Sequence, residues 1–218
     1  KKIKFLGNLK FSESKTQKNI ALNKNIEKIF KSRKIWCAAS THNGEEKICA
    51  EAHQKLKKKY KKLLTVIIPR HVHRVNDIYK EILDMGFKVQ IHSKKSKIKK
   101  DTDIYLVDTY GETKSFFKIC NTVFLGGSIV NHGGQNPLEP ARFGCKILHG
   151  PNIQNFTEVY RLLNKENLSF KFYNTNQLAK SVNQSLNQNI NFSKKITKLK
   201  KIGSNILNHT STEINCFL

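Results

Sequence analysis

Acidic residues are scarce here. There are 16 of them against 40 lysines and arginines, a formal net charge of +24 over 218 residues. Arginine is scarce too: five of those 40 basic residues. A protein that reads nucleic-acid bases would draw on arginine for bidentate contacts, and an RNP aromatic signature and a GXXG loop are missing as well. Nucleic acid is therefore not an expected partner, although charge alone would suggest a basic RNA binder. The lysine surplus reads mainly as solvated helix faces in a lysine-, asparagine- and isoleucine-rich chain. A weaker functional reading is attraction to anionic lipid head groups at a membrane surface. Cys37, Cys49, Cys120, Cys145 and Cys216 form no CxxC pair, so buried reduced thiols are the expectation. No apolar run reaches the length needed for a spanning helix. Neither GxxxxGK[ST] nor GxGxxG occurs, which disfavours a Walker-type nucleotidase and a nicotinamide enzyme.

The chain does have a core. Hydrophobic residues make up 38%, with 13 phenylalanines. Short apolar runs occur at 34–40, 63–69, 87–92, 103–108, 121–127, 145–150 and 168–173, each of strand length. Helical patterns alternate with them at 44–61, 74–85, 111–120, 137–143, 155–165 and 176–188, and a terminal helix is expected over 193–209. The runs are continuous rather than alternating. That pattern predicts an α/β fold, a Rossmann-like parallel sheet with helices on both faces. The segment 92–101 reads as a charged loop.

Ligands of such sheets sit outside the carboxyl ends of the strands, so the residues after each run are the candidates. After the first run come Ser40, Thr41 and His42, then Asn43 and Glu46 at capping-box spacing. After the second come Pro69 and Arg70, with Arg70 suited to a phosphate oxygen; Arg74 is expected to face solvent on the next helix. His71 and His73 form a His-x-His pair without an evident third ligand, a weak metal signal. After the fourth come Tyr110, Gly111 and Glu112, either an ordinary turn or a close backbone approach to a ligand. After the fifth comes "GGSIVNHGGQNPLEP", with Gly127 and Ser128 at its start. Asn136 reads as an N-cap, Pro137 as the first helical residue, and Glu139 as its capping-box partner. The free N–H groups of that helix start would face a glycine-lined cavity suited to a phosphate.

"GNLKF", "AASTHNGEE", "IIPRHVHR", "DTYGE" and "VFLGGSIVNHGGQNPLEPARFGCKILHGPNIQNF" occur in order from about Gly7 to Phe156. Together they resemble the C-terminal half of the 3-deoxy-D-manno-octulosonic acid (Kdo) transferases of the lipid A pathway. The resemblance implies the C-terminal half of a GT-B glycosyltransferase, with donor CMP-Kdo bound here. The acceptor, a lipid A precursor, and the catalytic base would belong to an N-terminal domain, so no catalytic residue is expected in this chain. It implies no cofactor and no metal, because basic groups and helix ends stabilise the leaving phosphate. Carried over by position, Pro69 and Arg70 would contact the nucleotide. Tyr110, Gly111 and Glu112 would hold CMP largely through backbone. Asn136, Pro137, Leu138 and Glu139 would close on phosphate and ribose, with Glu139 accepting from the ribose hydroxyls in preference to capping. Ser40, Thr41, His42, Gly127 and Ser128 are secondary candidates for the phosphate or the Kdo carboxylate. Family members often carry Glu where Asn43 stands and His where Gln135 stands.

The chain does not begin with Met, and "KKIKFLGNLKF" reads as the middle of a longer protein. The expected organisation is an interdomain segment over 1–12, a CMP-sugar-binding domain over 13–192 and a helical tail over 193–218. The expected location is the cytoplasmic face of the bacterial inner membrane, with this part soluble and inactive alone. The alternative is a GT-B-like domain that uses a UDP-sugar.

Overall fold

The computed structural model describes Leu9 and residues 22–93, 98–187 and 193–216. The expected interdomain segment, Leu9 apart, lies outside those residues, as does the centre of the charged loop.

Seven strands form one sheet: β1 (Lys34–Thr41), β2 (Leu63–Pro69), β3 (Val89–Ile91), β4 (Ile104–Leu106), β5 (Thr122–Leu125), β6 (Lys146–His149) and β7 (Ser169–Lys171). Their order is β3-β4-β2-β1-β5-β6-β7, and every pairing is parallel. The continuous apolar runs are explained by two cores, one on each face. Along β1, Cys37 and Ala39 enter one core while Trp36 and Ala38 enter the other. Along β2, Leu64 and Val66 separate from Leu63 and Ile67 in the same way. A strand buried on both faces is mostly apolar, and the polar side chain that β2 does carry, Thr65, is bonded to His53.

The helices divide accordingly. α1 (Lys24–Lys31), α4 (Thr113–Phe117), α5 (Leu138–Arg142), α6 (Thr157–Lys165) and α8 (Ser193–Asn215) supply the first core with Phe30, Phe116, Leu138, Tyr160 and Leu199 among others. α2 (Glu45–Lys57), α3 (Val75–Asp84) and α7 (Thr175–Leu186) supply the second with Ala50, Ile78 and Leu178.

α1 was not expected from the sequence. It is an eight-residue amphipathic helix in which Asn23 caps by accepting from the Asn25 N–H at 2.9 Å, and Phe30 is its one fully inserted side chain. The Phe30 ring meets Tyr105 edge-on at 5.2 Å. α2 ends at Lys57 rather than at 61, and α8 runs on to Asn215 rather than stopping at 209. α4 and α5 are five residues each, against expected spans of 111–120 and 137–143. So short a helix sums few peptide dipoles, and the positive helix end expected at α5 is weak. Its individual N–H groups remain.

Candidate functional site

β1 and β5 are neighbours at the point where the chain order reverses: β2, β4 and β3 lie to one side, β6 and β7 to the other. The loops leaving β1 and β5 therefore diverge above the sheet and leave a crevice. Both carry candidate residues. The backbone here is locally strained. Ser40, not a glycine, sits at φ 56, and the β1–β2 register shifts between Ala39 and Thr41. A left-handed non-glycine residue persists only where surrounding contacts hold it. Gly126 supplies one such contact. A Cβ there would lie 2.3 Å from the Ser40 carbonyl oxygen and 2.6 Å from the Thr41 Cα, so only glycine lets β5 come this close to the turn. Gly126 N–H donates to the Ala39 carbonyl at 2.9 Å, and Arg70 N–H donates to the Thr41 carbonyl at 2.9 Å.

Two glutamates at the start of α2 shape the turn, and neither does what their spacing suggests. The N-cap of α2 is Gly44 at φ 86, without a side-chain cap, so the capping box of Asn43 and Glu46 does not form. Glu46 is wholly buried. It accepts from Thr41 Oγ1 at 2.9 Å and from the Arg74 guanidinium at 3.0 and 3.3 Å. Arg74 also donates to Asn43 Oδ1 at 3.3 Å. The expectation that Arg74 faces solvent is thus corrected: α3 starts beside α2, and a buried carboxylate there requires a cation.

Glu45, also wholly buried, accepts four backbone N–H bonds. Those of His42 and Gly127 reach Oε2 at 2.9 and 2.8 Å, and those of Ser128 and Ile129 reach Oε1 at 3.2 and 2.9 Å. The amides of Gly127 and Ser128, expected near the phosphate, thus already serve a carboxylate of the protein. The Ser128 hydroxyl is equally engaged, donating to the Leu125 carbonyl and accepting from the Gly150 N–H.

Above this turn lie four imidazoles. His42 stacks on His132 at 4.2 Å and meets His71 edge-on at 5.8 Å, and His71 lies 5.6 Å from His73. Burial pushes the His42 pKa down to about 4, with His132, His71, Arg74 and Arg70 adding to the shift. His42 is therefore neutral at pH 7, close to the Gln135 amide at 3.4 Å. Among the described residues, no group of three or more His, Cys, Asp and Glu side chains is placed to hold a metal ion. Arg70 is exposed on the same edge, directly after buried Pro69.

After β4, Tyr110 is 73% exposed and Gly111 sits at φ 85. Glu112 is turned inward. Its carboxylate accepts from the Thr109 hydroxyl and pairs with His92 Nε2 at 3.0 Å, while His92 Nδ1 meets the Tyr105 hydroxyl at 2.9 Å. Glu112 thus ties its own turn to the end of β3 and leaves Tyr110 and Gly111 as the presented residues.

In the loop before α5, Asn136 Oδ1 accepts from the Leu138 N–H at 3.1 Å as an Asx turn, but the N-cap position falls on Pro137, without a side-chain cap, and the helix starts at Leu138, one residue later than expected. The Leu138 side chain is in the core and Pro137 is buried. Glu139 does not reach back as a capping box requires. It lies 3.6 Å from Lys114 of α4, with its side chain 40% exposed. That pair joins the segment carrying Tyr110–Glu112 to the segment carrying Asn136–Glu139. Gly134 N–H donates to the Gly127 carbonyl at 2.8 Å, and Tyr160 donates to the Gln135 carbonyl at 3.3 Å. The structure thus gathers Ser40–His42, Arg70, Tyr110–Glu112 and Asn136–Glu139 at one edge of the sheet. Sequence reasoning missed Glu45, His92, Lys114 and His132. Only Glu45 carried a signal, the two adjacent acids after "HNG".

No protein-family model matches the chain. The 3-deoxy-D-manno-octulosonic acid transferase of Haemophilus influenzae is 34% identical over 163 residues, 74% of this chain and 38% of that protein. The transferase of the same description from Aquifex aeolicus is 30% identical over 149 residues, 68% of this chain and 41% of that protein. The chain thus spans about two fifths of the length of these relatives. Among solved structures, the C-terminal CMP-Kdo binding domain of WaaA from Acinetobacter baumannii superposes with a TM-score of 0.69 at 24% identity, covering 82% of this chain and 91% of that domain. The chain belongs to the 3-deoxy-D-manno-octulosonic acid transferases, a glycosyltransferase family, and has the fold of that C-terminal domain.

Proposed function

We propose that this chain binds the nucleotide-sugar donor CMP-Kdo in the crevice between the loops leaving β1 and β5. The transferase of which it is part would pass Kdo to a lipid A precursor in lipopolysaccharide synthesis. The observation that carries the proposal is that four strand-end segments lie along the carboxyl edge of one sheet, two of them, after β1 and β5, at the point of reversed chain order. The donor carries a phosphate, a Kdo carboxylate and a ribose. Exposed Arg70 suits an anionic oxygen, and neutral His42 suits a hydrogen bond. Tyr110 and Gly111 offer a ring face and an unhindered backbone to the nucleotide. Glu139, free of any capping duty, suits the ribose hydroxyls. Pro69, Glu112, Asn136, Pro137 and Leu138 would shape these segments rather than reach the donor with their side chains. Ser40 and Thr41 set the turn, and Gly127 and Ser128 lie behind it.

The acceptor site and the catalytic base are proposed to lie on residues outside this chain, so the chain alone would bind donor and transfer nothing. The whole enzyme would work at the cytoplasmic face of the inner membrane. Among the described residues no helix is long and apolar enough to cross a membrane. The interdomain, domain and tail assignments over 1–12, 13–192 and 193–218 are part of the same proposal.

Calorimetry with CMP and UMP side by side tests the donor. Preference for CMP is expected, whereas preference for UMP would point to a UDP-sugar enzyme instead. Glu139→Ala should weaken CMP binding about tenfold or more, the worth of a hydrogen bond to a charged group. Unchanged affinity would leave Glu139 only as the partner of Lys114.

A further inference from the structure

Glu45 is set where an anionic ligand would be expected. Three consecutive N–H groups, those of Gly127, Ser128 and Ile129, converge at the end of a parallel strand, an arrangement that elsewhere makes an anion-binding concavity. Here the occupant comes from the chain itself, 82 residues earlier in sequence. Its two oxygens take two N–H donors each, which fills the four acceptor sites of a carboxylate. Among the described residues no ion pair involves Glu45. The charge is balanced by backbone amides and by the start of α2, a 13-residue helix.

We propose that Glu45 is a positioning residue for donor binding: an internal anion that locks the β1 turn to the β5 loop. This rests on the assignment of the crevice to CMP-Kdo. The fourth donor, the His42 N–H, belongs to the β1 turn, and the other three belong to the β5 loop. One carboxylate therefore sets the separation of two segments that carry candidate donor contacts. Both segments lead outward from the clamp. His42 stacks on His132 of the β5 loop, and the Gly127 carbonyl holds Gly134, two residues before Asn136. Gly126 is fitted to the clamp, because a Cβ there would come 2.7 Å from Glu45 Oε2. With the carboxylate removed, four N–H groups lose their acceptor, those of Gly127 and Ser128 buried and those of His42 and Ile129 part-buried, and the loops must open or recruit an anion from solvent. A further consequence concerns the donor itself. The innermost amides of the crevice are closed to its phosphate, which is left to the outer groups.

The experiment uses the 218-residue chain and its Glu45→Ala variant, titrated with CMP well below their unfolding temperatures. Each is measured in sodium chloride and in sodium formate of equal ionic strength. Formate is the probe, because it is a carboxylate small enough for the vacated space. The alanine variant should bind CMP about tenfold or more weakly in chloride, with formate restoring a large part of the affinity in a saturable way. Wild-type affinity should not respond to formate. Equal CMP affinity of the folded variant and the wild type would overturn the proposal. So would recovery by formate of the melting temperature alone, since that is what a purely structural carboxylate would give. Where the alanine variant does not fold, Glu45→Gln takes its place. Its amide nitrogen turns toward two of the donors, and it too must lose about tenfold in affinity, an unchanged value being fatal. Failure of the wild type to bind CMP is a separate outcome. It would overturn the donor assignment first and this inference with it.

Discussion

Removing the Arg74 side chain should destabilise the fold far more than a surface arginine would. The carboxylate of Glu46 is wholly buried and has three bonds, one from Thr41 and two from Arg74. In Arg74→Ala, Oε1 keeps the Thr41 hydroxyl, Oε2 loses its donor, and the charge loses its counter-ion. Breaking one side of a fully buried pair costs about 3–5 kcal/mol. The Arg74 side chain is 20% exposed, so water replaces part of what is lost. That brings the expectation to roughly 2–4 kcal/mol. For a chain of this length the corresponding fall in melting temperature is roughly 5–15 °C. Urea unfolding of wild type, Arg74→Ala, Glu46→Gln and the double variant closes a cycle. The double variant should be more stable than Arg74→Ala, because the stranded charge is gone. A single Arg74→Ala variant within about 0.5 kcal/mol of wild type, the range of ordinary surface changes, would refute the reasoning. A double variant no better than the single would do the same.

Three further outcomes follow from the packing. His149 is buried against Tyr160 and the Gly150 carbonyl, and burial pushes its pKa down from 6.5 to about 4. Below pH 6.5 the unfolded chain takes up a proton that the folded chain refuses. Stability is therefore full above that pH and falls by roughly 3 kcal/mol as pH drops toward 4. His149→Gln should flatten part of that slope in denaturant titrations, and an unchanged slope would count against it. Cys37, Cys49, Cys120 and Cys145 are buried and Cys216 is exposed, so a thiol reagent should titrate one group in the native chain and all five in denaturant. Burial raises the Cys49 and Cys145 thiols, and a bond to Cys37 together with burial raises Cys120, which slows any reaction on partial opening. Gly126→Ala should cost roughly 3 kcal/mol or more by overpacking against Ser40 and Thr41. Gly44→Ala, at φ 86 with open space around it, should cost only about 1–2 kcal/mol. Equal losses in the two would mean that the close approach at Gly126 is unimportant.

Strand positions were readable because burial on both faces writes a nearly continuous apolar run, as at Leu63–Pro69, where Thr65 is the one polar residue. α1 was not readable, since a short helix with one inserted phenylalanine looks like part of a polar leader. Helix spans were overestimated at α4 and α5, where the core admits five residues and the next turn already belongs to a loop. In the site, Asn136 was legible as a local acceptor because an Asx side chain reaches its own second neighbour, although the N-cap position itself fell on Pro137. The capping boxes at Asn43–Glu46 and Asn136–Glu139 were misread. Their spacing is local, but the two glutamates are met by Arg74, just before α3, and by Lys114 of α4.

By itself the sequence determined the alternation of strands and helices, the family resemblance, and which strand ends carry chemistry-bearing side chains. These follow from periods of two and 3.6 residues and from motifs within a few residues of one another. Only the tertiary structure decided the strand order that opens the crevice between β1 and β5. It also decided which amides there remain free, and that Glu45 holds four of them. An acceptor more than 80 residues from three of its four donors gives no local sign of which amides it will take, because those partners are chosen by how the sheet is assembled.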